Sequence, residues 1–350
     1  MSAVTARVPA KVNLQLAVGP VRADGYHDVV TLYHAVSLFD EVTVAPAERD
    51  SLTVTGEGAA SVPGDGSNLA ARAAQALAEV LGPGSQDSAG LDIRISKRIP
   101  VAAGLAGGSA DAAAALVACN ELWQAGLSQA ELCEVAAGIG SDVAFALLGG
   151  TAIGVGRGER VTAALAAGTY HWVLAFAAGE LSTPAVYAAF DRIRTTRGNG
   201  TARDGAAPAE NGRDGGSGPP AGAPADSAGV ADGPEGQAPA GAPAVDNRLM
   251  AALRSGNPAE VGPLLANDLQ AAAISLQPGL RRTLAAGLEH GAFGAIVSGS
   301  GPTCAFLASD ARHARDIAVA LAGAGVCRTV AHVVGPAPGA TVISIATETV

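Results

Sequence analysis

A glycine-rich stretch, Pro100-Val-Ala-Ala-Gly-Leu-Ala-Gly-Gly-Ser-Ala-Asp111, has the residue types of a phosphate-binding turn. It follows the alternating segment 91–97, which predicts a β-strand, and enters the alanine-rich segment 109–122, which predicts a buried helix. Glycines let the backbone approach an anion, and the free N–H groups of a first helical turn point toward it. The stretch lacks the Lys-Ser/Thr ending of a P-loop and the spacing of a dinucleotide-binding turn. A connection that only lets a helix pack closely on a sheet is therefore an equal alternative.

The lysines are a second chemical signal, because the chain has only two of them, Lys11 and Lys97, among 22 basic residues. Where arginine replaces lysine so widely, the remaining lysines are candidates for sites that need a compact ammonium, although two cases can also arise by chance. Lys11 lies in a predicted strand two residues before Asn13, so the two side chains share one face. A solvated sheet edge is the alternative for that pair.

Three further positions carry groups that could bind or react. Asp142 stands between Gly140-Ser141 and an apolar run, where an aspartate is more often a helix N-cap than a base. Tyr26 and His27 follow Gly25 in a predicted turn and could form a stacking and hydrogen-bonding platform, or simply a hairpin. Tyr187 lies in the first turns of a predicted helix that starts near Ser182-Thr-Pro and ends near Arg194.

The composition limits the class of protein that presents these groups. The chain has 350 residues, 49% of them hydrophobic, which is enough for two domains or for one domain with an insertion. A net charge of −10 argues against a nucleic-acid surface, and no apolar run reaches the length of a membrane span. The N-terminus has no signal-peptide pattern and the four cysteines form no CxxC pair, so we expect a cytoplasmic location.

The elements that must position the candidate groups change character along the chain. The opening is rich in predicted strands, helices follow from about residue 67, and a Ser128-x-x-Glu131 pattern predicts a capping box. Residues 195–245 are mostly Gly, Ala, Pro, Asp and Ser, so we predict a disordered surface insertion there. Helices then resume, and residues 292–307 predict two strands around a second glycine-rich turn.

Taken together, these segments resemble the GHMP kinases, a superfamily of small-molecule kinases. The resemblance rests on Pro9-Ala-Lys-Val-Asn13, Pro100–Asp111 and Ser298-Gly-Ser-Gly-Pro302, in the family's order, and covers nearly the whole chain apart from the insertion. It implies an α+β fold of two lobes, an N-terminal ribosomal-protein-S5-like lobe and a C-terminal ferredoxin-like lobe. We expect an ATP-binding lobe at 1–165 and a substrate lobe at 166–350, with 195–245 as the insertion.

A narrower resemblance points to the acceptor. The segments 22–27, 140–143 and 181–187 are similar to those of the branch that phosphorylates the C2 hydroxyl of a cytidine-diphosphate-linked methylerythritol in the non-mevalonate isoprenoid pathway. The resemblance implies that Asp142 accepts the hydroxyl proton and that Lys11 keeps Asp142 charged. Further contacts to this acceptor are implied for Asn13, Tyr26, His27 and Tyr187, with the tyrosines sandwiching the cytosine.

The same resemblance implies ATP as the phosphoryl donor with Mg²⁺, and it assigns no residue as a metal ligand. The oligomeric state stays open. The residues implied to contact ATP are Asn68, Leu69, Lys97, Pro100, Val101, Ala102, Ala103, Gly104, Leu105, Ala106, Gly107, Gly108 and Ser109.

Two departures and three rival functions accompany the resemblance. Ala106 replaces the usual glycine, which matters if the backbone needs positive φ there, and Ala110 replaces a common serine. A kinase acting on mevalonate, homoserine or a sugar would have no use for the Tyr26-His27 platform. A catalytically silent nucleotide-binding regulator would not need Lys11 and Asp142. A dehydrogenase would need an acidic ribose contact about 20 residues after the glycine turn, and no strand ends in one there.

Overall fold

The computed structural model describes residues 2–82, 90–201 and 243–347, and most of the predicted insertion lies outside these ranges. The strands are β1 (Ser2–Val21), β2 (His27–Ala47), β3 (Ser51–Gly56), β4 (Gly90–Lys97), β5 (Thr151–Gly156), β6 (Arg160–Ala163), β7 (Tyr170–Phe176), β8 (Ala266–Asn267), β9 (Gly294–Val297), β10 (Cys304–Ala308), β11 (Thr329–Gly335) and β12 (Thr341–Thr347).

The helices are α1 (Leu69–Leu81), α2 (Gly107–Leu122), α3 (Gln129–Ala137), α4 (Val143–Leu148), α5 (Thr183–Thr201), α6 (Asn247–Ser255), α7 (Pro258–Val261), α8 (Gln270–Leu276), α9 (Gly279–Glu289) and α10 (Ala311–Gly323). Short 3-10 turns lie at Ala59–Ser61 and Gly262–Leu264.

Two sheets with helices packed on them give the α+β architecture of two lobes that was predicted. The first sheet has the order β12-β1-β2-β4-β3. In addition, β5 pairs with β2, β8 pairs with β1, and β6 pairs with β5. The second has the antiparallel order β11-β7-β10-β9. The C-terminal strand β12 thus returns to the first sheet, so the lobes are not two consecutive halves of the chain.

The long strands β1 and β2 carry much of the site. Val12 and Leu14 enter the core, so the alternation of the strand places Lys11 and Asn13 on its opposite face. Irregularities in the β1–β2 pairing at Pro9/Ala10 and Asn13/Gln15 change the register between the strands.

Helix α2 lies at the centre of the first lobe and is buried on nearly all sides. Its alanines let α1, α4 and β1 approach closely, as expected for a helix that is apolar all round. The predicted capping box is present, since the Ser128 side chain accepts from the backbone of Glu131 and Glu131 bonds back to Ser128.

The edges of the predicted insertion differ from the sequence-based expectation. Helix α5 continues to Thr201, beyond the predicted end near Arg194. At the other edge, the Nε2 of Gln15 donates to the carbonyl of Ala244 (2.7 Å), and its Oε1 accepts from the N–H of Asp246 (2.9 Å). Chain on both sides is therefore ordered by contacts that composition does not reveal, and residues 202–242 lie outside the described ranges.

Candidate active site

A cavity of about 920 Å³ lies between the two lobes and collects most of the predicted site residues. The first lobe contributes Lys11, Asn13 and the glycine-rich loop, and the second contributes α5 and the turn at Gly299-Ser300. Its lining includes these residues predicted from the sequence: Lys11, Asn13, Tyr26, His27, Leu69, Ala102, Ala103, Gly104, Ala106, Gly107, Gly108, Ser109, Asp142 and Tyr187.

Lys11 is the buried cation of this cavity. Its Nζ donates to Oδ1 of Asn13 at 2.6 Å and to the carbonyl of Gly104 at 2.9 Å, and it lies 3.9 Å from Oδ2 of Asp142. Burial lowers the pKa of Lys11, and the negative charge of Asp142 opposes that shift. The ammonium thus connects β1, the glycine-rich loop and the carboxylate, and the alternative of a solvated sheet edge is excluded.

Asp142 lies at the N-cap position of α4, but its side chain makes no capping hydrogen bond. Its Oδ1 instead accepts from the hydroxyl of Tyr33 at 2.6 Å, and Oδ2 faces Lys11. About a quarter of the side chain is exposed. The carboxylate is therefore held at the cavity wall by groups from β1 and β2, as an acid–base group requires and a helix cap does not.

The glycine-rich loop adopts a left-handed backbone at Ala102 (φ 51°), Gly104 (φ 75°) and Ala106 (φ 60°). A Cβ at Gly104 would lie 2.1 Å from the carbonyl oxygen of Ser298, so only glycine fits where the loop crosses the second lobe. Ala106 tolerates its positive φ only with strain, because its Cβ disfavours that region.

The loop leads into the N-terminus of α2, where Gly107, Gly108 and Ser109 line the cavity. Within the described ranges, none of these three N–H groups donates a hydrogen bond to another residue. Three free amides at the start of a 16-residue helix favour an anion, through hydrogen bonding and the helix dipole. The arrangement supports the phosphate interpretation of the loop over that of a packing connection.

Some residues predicted to contact nucleotide lie away from the main cavity. Asn68 is the N-cap of α1, where its Oδ1 accepts from Ala70 and its Nδ2 donates to the carbonyl of Pro63. Leu105 is buried in the core. Pro100 and Val101 line a smaller cavity of about 190 Å³ on the other side of the loop. The nucleotide role of these residues stays a prediction.

Lys97 is buried beneath the loop in a cluster of charges rather than open to the cavity. Its Nζ donates to Oδ2 of Asp40 at 2.5 Å and to Oδ2 of Asp111 at 2.7 Å. Oδ1 of Asp111 is buried without a hydrogen-bond partner. Burial, reinforced by the charge of Asp40, raises the pKa of Asp111 against the opposing charge of Lys97. The cluster therefore links β2, β4 and α2 beneath the loop.

The predicted aromatic platform also lines the cavity. Tyr26 is exposed at the β1–β2 turn, with the guanidinium of Arg157 5.0 Å from its ring centroid. His27 is buried, and its ring lies 5.0 Å from that of Tyr187 on α5. Nε2 of His27 is 2.9 Å from Oδ1 of Asp191, one turn further along α5.

Sequence reasoning missed several of these neighbours, namely Thr31, Tyr33, Arg157 and Asp191. Thr31 accepts from Nδ2 of Asn13 at 2.7 Å, and Tyr33 pairs opposite Asn13 across the β1–β2 ladder. No local signal marks them, because their roles depend on strand register and on the approach of α5 to β2. A strand with a tyrosine and two threonines is otherwise ordinary.

The described residues contain no group of three or more His, Cys, Asp and Glu side chains able to hold a metal ion. Within residues 2–82, 90–201 and 243–347, none of the helices combines the length and hydropathy that a membrane span requires.

Two family models match the chain, one in each lobe. "GHMP kinases N terminal domain" matches residues 68–150, and "GHMP kinases C terminal" matches residues 249–327. A crystal structure of homoserine kinase from Cytophaga hutchinsonii shares the fold with a TM-score of 0.64 at 18% identity, covering 97% of each chain. Fold and cavity thus define a small-molecule kinase of the GHMP class.

Nearer relatives specify the branch. The 4-diphosphocytidyl-2-C-methyl-D-erythritol kinase of Mycolicibacterium smegmatis is 50% identical over 97% of this chain and 92% of its own length, and that of Nocardia farcinica is 50% identical over 98% and 97%. A crystal structure titled 4-(cytidine 5'-diphospho)-2C-methyl-D-erythritol kinase matches with a TM-score of 0.64 at 31% identity, covering 94% of this chain and 98% of its own. The chain therefore belongs to the GHMP kinase family, as its sequence motifs predicted.

Proposed function

We propose that this protein transfers the γ-phosphoryl group of ATP to the C2 hydroxyl of 4-diphosphocytidyl-2-C-methyl-D-erythritol. The observation that carries the proposal is that one cavity is lined by the start of α2, by the Lys11–Asp142 pair and by the Tyr26-His27-Tyr187 platform. The names of relatives at half identity over nearly their full length support the same reaction.

The donor phosphates would lie at the start of α2. Amides of Gly107, Gly108 and Ser109 supply fixed donors for the phosphate oxygens without reorganisation during the reaction. Phosphoryl transfer depends mainly on positioning and on neutralisation of spreading charge, and such preorganised donors meet that requirement.

The acceptor hydroxyl would lie against Asp142. As its oxygen attacks the γ-phosphorus, the bond from that phosphorus to the bridging oxygen of ADP breaks, and the hydroxyl proton passes to the carboxylate of Asp142. Lys11, 3.9 Å from that carboxylate, stabilises its charged form before transfer. Asn13 holds the ammonium in place through the 2.6 Å hydrogen bond.

Magnesium, which the family implies, fits this donor set through the nucleotide rather than through a dedicated cage. Mg²⁺ commonly keeps few protein ligands and binds substrate phosphates. The Ser109 hydroxyl, which lines the cavity at the start of α2, is the protein group that would help to hold it beside the phosphates. When bound, the ion would neutralise charge on the phosphates.

Cytosine recognition would use the aromatic platform. A carboxylate only accepts hydrogen bonds, so Asp191 fixes the proton of His27 on Nε2, which leaves Nδ1 as an acceptor in the neutral ring. Among the described residues nothing bonds to Nδ1. An acceptor at this position suits the exocyclic amino group of cytosine, which uracil lacks. Tyr26 and Tyr187 would stack on the base.

A coupled ADP-release assay tests the function with the cytidyl substrate beside mevalonate, homoserine and a uridyl analogue. We expect turnover of the cytidyl substrate with the new phosphate on C2, located by phosphorus–carbon coupling in NMR. The homoserine kinase that shares the fold makes homoserine the sharpest rival. Turnover of mevalonate or homoserine without the cytidyl substrate contradicts the proposal. The cytoplasmic location expected from the sequence stays a prediction.

A further inference from the structure

The phenol of Tyr33 and the ammonium of Lys11 lie next to different carboxylate oxygens of Asp142. The Tyr33 hydroxyl donates to Oδ1 at 2.6 Å, and the Lys11 ammonium lies 3.9 Å from Oδ2. Because Asp142 makes no capping hydrogen bond to α4, these two groups set the rotation of its carboxylate. The short contact to Tyr33 is the stronger constraint.

Tyr33 is held rigidly in this position. It is 2% exposed, and its ring stacks on Phe145 of α4 at a centroid distance of 4.7 Å and an interplanar angle of 24°. A Cβ at Gly154 would lie 2.5 Å from the ring, and one at Gly158 would lie 2.4 Å from the hydroxyl. The slot for the phenol therefore exists only because both neighbouring positions are glycine.

The phenol also keeps its proton. Burial and then the negative charge of Asp142 raise the pKa of Tyr33 well above its ordinary value. Tyr33 is thus a permanent donor and has no role as a base. An ionised carboxylate that accepts such a hydrogen bond is favoured over its protonated form.

We infer that Tyr33 is a positioning residue for the phosphoryl-transfer reaction. It engages Oδ1 of Asp142, so Oδ2 is presented to Lys11 and to the acceptor hydroxyl, and it stabilises the carboxylate in its charged form. No bond to Tyr33 is made or broken, and the hydroxyl proton of the acceptor goes to Asp142. The inference rests on the proposed function, in which Asp142 is the base.

Tyr33→Phe tests this role because it keeps the stacked ring and removes only the donor. We expect kcat to fall roughly ten- to a hundredfold, the factor for loss of a hydrogen bond to a charged group. We expect the KM values for ATP and acceptor to change less than about twofold. The reason is that Tyr33 does not contribute to the binding energy that the ground state and the transition state share. A fall in kcat without a matching rise in KM is a readout that a general structural loss would not give, because loosening of the site would weaken binding as well.

Tyr170→Phe is the matched control. It removes a buried phenol that donates to the carbonyl of Leu253 at 3.1 Å, away from the cavity. We expect the control to lose some thermal stability and to keep the wild-type kcat and KM values. An unchanged kcat in Tyr33→Phe, or the same fall in kcat in both variants, overturns the inference.

A double-mutant cycle separates action through Asp142 from a general structural effect. In an Asp142→Asn background, Tyr33→Phe should change the residual rate little, because the group through which it acts is gone. An equal loss in both backgrounds contradicts the inference. Should Tyr33→Phe not fold, 3-fluorotyrosine at position 33 keeps the ring and changes the strength of the donor, so kcat should change in the wild-type background and not in the Asp142→Asn background. An unchanged kcat overturns the inference, whereas wild-type protein that fails to turn over the cytidyl substrate refutes the proposed function itself.

Discussion

The ammonium of Lys11 lies 3.9 Å from Oδ2 of Asp142 while it donates to Asn13 and to the carbonyl of Gly104. One buried cation thus joins a strand at the start of the chain, the glycine-rich loop and the residue that precedes α4. Each partner has a different relation to the ammonium. Asn13 fixes its position, Gly104 links it to the loop, and Asp142 is stabilised by its positive charge. The geometry around Lys11 therefore leads to predictions about charge, size and backbone.

Lys11→Arg should lower kcat roughly tenfold or more, although it preserves the charge. The longer, planar guanidinium cannot reproduce the compact position from which Nζ donates to Asn13 at 2.6 Å and to the carbonyl of Gly104 at 2.9 Å. Steady-state kinetics measures the loss, with Arg98→Lys on the loop's approach as an exchange outside the cavity lining. Wild-type kcat in Lys11→Arg would refute the argument from the compact ammonium.

Asp142→Asn should keep the fold and ATP binding but lose activity on the order of a hundredfold or more, as expected for a lost general base. Calorimetric titration with a non-hydrolysable ATP analogue tests binding, and single-turnover kinetics tests the chemical step. Asp92→Asn is the control, because that carboxylate pairs with Arg94 on β4 and does not line the cavity. A variant that turns over normally would remove Asp142 from the mechanism.

Tyr187→Ala should raise the KM for the cytidyl substrate by a factor equivalent to roughly 1–3 kcal/mol of lost stacking, and leave the KM for ATP nearly unchanged. Tyr187→Phe keeps the ring and should behave like wild type. Tyr26→Ala and His27→Ala should affect the same constant, because all three side chains belong to the platform that lines the cavity. A shift in the ATP constant alone would show that the two substrates have been assigned to the wrong parts of the cavity.

Ala106→Gly should raise the free energy of unfolding by up to about 1 kcal/mol, because glycine relieves the strain of a left-handed backbone. The residue has φ 60° and ψ 35°. Ala110→Gly is the matched control within α2 and should destabilise by about 0.5–1 kcal/mol, since glycine in a helix loses more backbone entropy. Urea denaturation compares the two. Destabilisation by Ala106→Gly would show that Ala106 packs more favourably than its backbone suggests.

Asp111→Asn should change how stability depends on pH. The pKa of Asp111 is raised in the folded protein, so the folded state binds more protons than the unfolded state above the ordinary range of an aspartate. Wild-type stability should therefore decline, relative to Asp111→Asn, as the pH rises from about 4 through neutrality. Urea denaturation at several pH values measures the difference, with Glu79→Gln on the surface of α1 as control. A difference that does not vary with pH contradicts the raised pKa.

The local parts of the site could be predicted from the sequence alone. The strand–turn–helix around residues 97–109, the shared face of Lys11 and Asn13, and the capping box at Ser128 depend on residues close in the chain, so periodicity and turn chemistry predict them. The family motifs then predicted the two-lobed fold and the GHMP kinase family, which the comparisons confirm.

Only the tertiary structure decided which side chains meet across these parts. The contact of Tyr33 with Asp142 depends on the shifted register of β1 and β2, the contact of His27 with Asp191 depends on how α5 docks, and Lys97 is buried with Asp40 and Asp111 beneath the loop. Such contacts join distant segments, and close packing between those segments selects them. A single sequence carries no local signal for that packing, because the same residues would satisfy the periodicity of an ordinary strand or helix equally well.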